Sequence, residues 1–241
     1  MIQTIVFSIL GQLATGILAF IALVPPSRIG QGFARFHTGL ALALWLIAVR
    51  ANLSPSFLVL SASLVLAFLL AGKERLYYIF LAIAFLLSIS LLVHGDANRF
   101  GWPYALLIHI PAVLVLGGSS VAMLLGHWYL VAPKLSISYL KVVTIGLISS
   151  ILIRSLLLTW VVFQNNARLS ESHFYDIYGI FFLQRIALGL ILTLVLSVLT
   201  YFCVKIRSTQ SATGILYVVL VFCLVGELIA AYLFARTGVS F

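Results

Sequence analysis

The chain has 241 residues, 63% of them hydrophobic and only 8% charged. Soluble domains carry about 25% charged residues, so a water-soluble fold is excluded for want of polar surface to cover its core. The formal charge of +9 does not point to nucleic acid, because the cations are scattered at the ends of apolar runs. Helix topology and lipid headgroups explain that scatter.

A helix needs roughly 20 apolar residues to cross about 30 Å of hydrocarbon. Eight apolar runs, approximately 2–24, 33–49, 56–71, 76–93, 104–131, 139–163, 177–204 and 212–234, predict an all-α, polytopic integral membrane bundle. Eight passages leave no room for a soluble domain, so residues 1–241 are read as one transmembrane domain.

The first run is expected to be a retained span rather than a signal peptide. No basic segment precedes it, and Pro25-Pro26 is not a small-residue cleavage site. The third run is short, and a seven-span chain with that run re-entrant is the alternative. The fifth carries Gly118, Ala122 and Gly126 at four-residue spacing beside Gly117, Ser119 and Ser120. Small residues in that pattern let helix backbones approach closely in lipid. Pro111, in the same run, removes one backbone hydrogen bond. Cys203 and Cys223 lie inside apolar runs and are read as structural thiols.

The charges test the eight-span count. Odd-numbered loops hold Arg28, Arg35, Lys73, Arg75, Lys134, Lys141, Lys205 and Arg207, including every lysine. The opposite side, with both termini, holds Arg50, Arg99, Arg168 and Arg236, together with Asp96, Glu171 and Asp176. Cationic loops mark the cytoplasmic face. A bacterial-type inner (plasma) membrane with both termini outside is the expectation.

Three charges fall deep inside apolar runs, away from their ends: Arg154, Arg185 and Glu227. An ionisable residue at a helix centre in lipid costs at least about 2.5–3.5 kcal/mol, which makes each a functional candidate. At 1.5 Å per residue, Arg154 lies roughly 20 Å above the cytoplasmic end of its helix and Glu227 roughly 22 Å. Arg185 lies roughly 12 Å below the outer end of its own. All three share a depth in the outer half, and His109 and Gln184 join that layer. Tyr178, Trp160 and Tyr217 lie at compatible depths. Two arginines against one glutamate make a net positive site suited to an anionic or carbonyl-bearing ligand. The competing reading is a purely structural tie between three helices.

His37 and His127, near the inner ends of the second and fifth helices, could supply two imidazoles to a b-type haem. The plainer reading of His127 is an interfacial belt with Trp128 and Tyr129. His94, Asp96, His173 and Asp176 in the outer loops are a weaker metal candidate, and no tight metal-ligand spacing appears. No phosphate-cradling loop, hydrolytic triad or metalloprotease motif can be placed.

These residues suggest an integral membrane subunit of a respiratory-type electron-transfer complex that handles a quinone, with other subunits as partners. His109, Arg154, Arg185 and Glu227 supply carbonyl donors and proton-exchanging groups, and Glu227 could pass protons toward the outer carboxylates. The architecture is similar to the eight-helix membrane anchors of molybdenum-containing respiratory oxidoreductases, as a likeness of fold without a shared motif. A small-solute transporter or channel, or a non-catalytic scaffold subunit, are the alternatives. Against transport, no internal repeat or paired helix interruption is visible.

Overall fold

A computed structural model describes residues 2–49, 54–132, 135–171 and 174–241. The described residues are helical throughout their ordered elements, with no strand among them. In chain order these are α1 (Ile2–Ile21), α2 (Pro26–Ile29), α3 (Gln31–Val49), α4 (Pro55–Leu69) and α5 (Glu74–Phe100). They continue with α6 (Trp102–Val131), α7 (Ser138–Glu171), α8 (Phe174–Ile186), α9 (Thr193–Lys205) and α10 (Thr209–Thr237). A π-helical segment, Ala187–Leu192, joins α8 to α9 in one apolar run of 32 residues.

Six of these helices, and the α8–α9 run as a seventh, are long and apolar enough to cross a membrane. The eighth, α4, has 15 residues and reaches only about 22 Å at 1.5 Å per residue. It is one unbroken helix. Phe68 of α4 packs over Gly39 of α3, and Gly72, just past α4, lies against the Gln31 side chain. Residue numbers thus fall along α3 as they rise along α4, which makes the pair antiparallel. Ser27 Oγ donates to Glu74 Oε1 at 3.2 Å, closing the same end. Ser54 starts α4 as its N-cap, its hydroxyl accepting from Phe57 N–H, with Pro55 at the first helical position.

Most helices outrun the apolar segments that predicted them. The fourth run, expected to stop at 93, continues to Phe100, and the sixth, expected to stop at 163, continues to Glu171. Hydropathy marks the part of a helix that sits in hydrocarbon, whereas backbone hydrogen bonding carries on through polar residues. Residues 94–99 are therefore helix, not the outer loop expected from the sequence. The first run is shorter than expected, ending at Ile21, because Pro25 disfavours helix in the residue before it.

The centre of the bundle is α6, which packs on α1, α5, α7 and α10. Its small residues make this possible. At the α1–α6 crossing a Cβ on Gly117 would lie 2.1 Å from the Gly16 carbonyl carbon, so the two backbones touch. Phe20 of α1 then drives its ring between Gly118 of α6 and Gly146 of α7, and Gly126 seats Thr213 of α10. In lipid, where helices gain nothing from hiding apolar surface, such close backbone packing is a main source of association.

Candidate functional site

Glu227 of α10 stands between two arginines from different helices. Arg154 of α7 donates from Nε to Oε1 at 3.2 Å and from Nη2 to Oε2 at 2.8 Å. Arg185 of α8 donates from Nη2 to Oε1 at 2.9 Å. Arg154 Nη2 also donates to the Phe241 backbone carbonyl at 2.8 Å. All three side chains are buried. The fork of Arg154 matches the carboxylate as a bidentate pair, the strongest geometry open to these groups.

The second arginine is sealed. Arg185 has zero exposure, and its Nε and Nη1 have no partner among the described residues. It sits at the crossing of the π-helical segment and α10, where a Cβ on Gly226 would lie 2.6 Å from Gly189 Cα and 3.0 Å from Arg185 Nη1. Two glycines there leave just enough room for one guanidinium. The widened turn is itself bonded, with Thr193 Oγ1 donating to the Leu188 carbonyl five residues back.

On α6, His109 is 2% exposed and has both ring nitrogens engaged. The Gln12 amide of α1 donates from Nε2 to Nδ1 at 3.0 Å, and Nε2–H of the ring donates to Asp96 Oδ2 of α5 at 3.0 Å. The ionised carboxylate accepts only, which assigns the hydrogen to Nε2 and leaves Nδ1 as acceptor. Asp96 is the partly open end of this chain, at 26% side-chain exposure.

Both groups meet at a cavity of about 590 Å³. Its walls are Thr4, Ser8 and Gln12 of α1, Asp96 and Arg99 of α5, His109 of α6 and Arg154 of α7. Glu227, Phe234 and Arg236 of α10, with Gly238, Ser240 and Phe241, lie on its far side. Gly238 ends α10 in the left-handed conformation (φ 71°), which turns the following residues back over the bundle. Phe241 then stacks on Phe174 at 5.0 Å and brings its carbonyl to Arg154. A second cavity, of about 320 Å³, lies behind this segment against Leu169, Phe174 and Tyr178.

His109, Arg154 and Glu227 therefore share one cavity, and Arg185 supports it from behind without lining it. Gln184 does not join them. It is exposed on the bundle surface, because a helix turns about 100° per residue and its neighbour Arg185 takes the inward position. Trp160 and Tyr217 are likewise about half exposed and face away from the cavity.

The two histidines of the expected haem pair differ in burial. His37 is fully buried, its Nδ1–H donating to the Phe33 carbonyl at 2.8 Å, with its ring against Phe33. His127 is exposed, with Nδ1 3.5 Å from the Tyr217 hydroxyl. A haem held between helices needs both imidazoles turned inward, and here one is. The outer metal set can be followed only in part. His94 is exposed beside Asn98, Asp96 is taken by His109, and His173 lies outside the described residues. No cluster of three or more His, Cys, Asp or Glu suited to a metal ion occurs among the described residues.

Sequence reasoning missed Gln12, the Asp96–His109 bond and the Phe241 carbonyl. Gln12 had a signal, as an amide in the middle of an apolar first span, and Asp96 was hidden by placing it in a loop. A backbone carbonyl leaves no mark in the sequence at all. No protein-family model, curated protein or solved structure matches this chain, so the reading of the site rests on its own geometry.

Proposed function

We propose that this chain is the membrane subunit of a respiratory-type electron-transfer complex and handles a quinone in the cavity between α1, α5, α6, α7 and α10. One observation carries the reading. Hydrogen-bond donors for a carbonyl (Arg154) and a proton-exchanging pair (His109 and Asp96), from three helices, line one cavity beside the apolar Phe100, Ile108 and Phe234. Its volume of about 590 Å³ falls in the range of roughly 300–1,000 Å³ typical of small-molecule sites.

In this account Arg154 polarises one quinone carbonyl, held at the correct angle by its bidentate grip on Glu227. His109 and Asp96 exchange the protons that accompany each two-electron change, and the electrons pass to or from a redox centre in a partner subunit. Arg185 takes no part in the chemistry and fixes Glu227. The lysine-rich loops support a reading in which the cavity lies in the outer half of a bacterial-type membrane.

The test is to extract quinone from the gently solubilised protein and identify the chains that copurify. The wild type should carry quinone in near-stoichiometric amount and bring redox subunits with it. Ser8→Phe, which fills the cavity from α1 without touching the charged groups, should remove the quinone and keep the partners. A solitary chain without quinone would refute this reading. It would favour proton-coupled transport of a small anion, for which the cationic mouth at Arg99 and Arg236 is the supporting observation.

A further inference from the structure

His109 is held in a way that serves two protonation states equally well. A buried histidine fixed between ordinary partners is stable in one state only, because the second proton leaves either a lone pair or an N–H without a partner. Here the two neighbours differ in kind. Asp96 accepts from Nε2–H and does so whether the ring is neutral or charged. Gln12 carries both a donor and an acceptor on one amide, and it faces the remaining nitrogen, Nδ1, at 3.0 Å. With the ring neutral, the amide N–H donates to Nδ1. With Nδ1 protonated, the amide turned over presents its carbonyl and accepts.

We propose that Gln12, His109 and Asp96 form a proton-loading site. His109 gains and loses the proton at Nδ1, Gln12 turns over to follow it, and Asp96 is the counter-charge and the opening toward the outer end of the bundle. One N–H bond forms on loading and one breaks on release, with the proton exchanged with water or with a ligand hydroxyl in the cavity. Gln12 is thus a positioning residue, set in the apolar first span.

The charged surroundings fit a site that loads and unloads. Across the cavity, the Glu227 carboxylate of α10 is already committed to Arg154 and Arg185, so it offers His109 little attraction. Arg154 of α7, Arg99 of α5 and Arg236 of α10 line the same space and oppose a further positive charge. Asp96 is the acid bonded to the ring. The loaded state is therefore held by one carboxylate and one amide, and removing either shifts it. Under the quinone reading this proton goes to or comes from the bound carbonyl. The loading itself needs no quinone.

The experiment is nitrogen NMR of histidine-labelled protein in lipid vesicles, with the His109 signals assigned by their loss in His109→Gln. Wild-type His109 should show one bare and one protonated nitrogen at alkaline pH and gain a second N–H on acidification. Gln12→Glu puts a pure acceptor at Nδ1, so both nitrogens should already be protonated at alkaline pH. Gln12→Leu removes the acceptor, and the acidification that loads the wild type should leave His109 with one N–H. Asp96→Asn, altered at a partly open side chain, should also lose the loading. The proposal is overturned if wild-type His109 keeps one N–H throughout, or if the Gln12 and Asp96 variants titrate as the wild type does. With the quinone content of the same sample measured, loading intact with quinone absent removes only the quinone reading. Loading absent with quinone bound removes only this one.

Discussion

Arg154 and Arg185 hold the same carboxylate and are equally deep in the protein, yet they occupy different worlds. Arg154 looks into a cavity of about 590 Å³, shares its guanidinium with the Phe241 carbonyl, and has room for a ligand oxygen. Arg185 is closed in by Gly189 and Gly226, with two nitrogens left unpartnered among the described residues. Burial alone therefore does not tell a working charge from a structural one. The space around the charge does. Desolvating a guanidinium costs several kcal/mol however it is paired, so the sealed Arg185 is read as the anchor that keeps Glu227 in place for Arg154.

The most severe way to break this comparison is to remove the shared carboxylate. Glu227→Gln leaves two buried guanidiniums facing each other and should cost about 3–5 kcal/mol, the range for breaking a buried ion pair. Thermal unfolding in detergent measures it, and a wild-type Tm would mean the network contributes nothing to the fold. Adding Arg185→Gln to Glu227→Gln should cost less than the sum of the two singles by about 0.5–3 kcal/mol, as expected for groups in contact. Strict additivity would separate them.

A smaller perturbation tests the seal itself. Gly226→Ala forces a methyl to 2.6 Å from Gly189 Cα and should destabilise by about 1–3 kcal/mol through overpacking. Gly179→Ala, on the same helix as Arg185 but with nothing within 4 Å of a Cβ, should stay within about 0.5 kcal/mol of wild type. Equal effects at the two glycines would show that the close crossing is not what confines Arg185. The finest distinction is functional. Arg154→Gln should reduce quinone recovery more than it lowers Tm, and Arg185→Gln should do the reverse.

How far the site could be read from the sequence depended on the kind of group. Arg154, Arg185, Glu227 and His109 stand out because charge and imidazole are rare in apolar runs, and counting residues along each helix gave them a common depth. Gln12 and Asp96 were not linked to His109, one being uncharged and the other lying beyond the apolar part of α5. The Phe241 carbonyl was illegible, since any residue carries one. The small residues of α6 were legible as a packing seam, although their partners, Gly16, Phe20 and Thr213, were not.

The sequence by itself determined the solvent, the helical class, the count of about eight helices and the existence of one polar layer. These follow from composition and from a fixed rise of 1.5 Å per residue, both of which are one-dimensional. Only the tertiary structure decided which side chains in that layer meet, because that depends on how each helix is rotated about its axis. A step of one residue turns a side chain by about 100°, enough to put Arg185 inside and Gln184 outside. His37 is likewise inside and His127 outside. Rotation is set by where backbones can touch, at Gly16 with Gly117 and at Gly189 with Gly226, and no single stretch of sequence contains both halves of either contact.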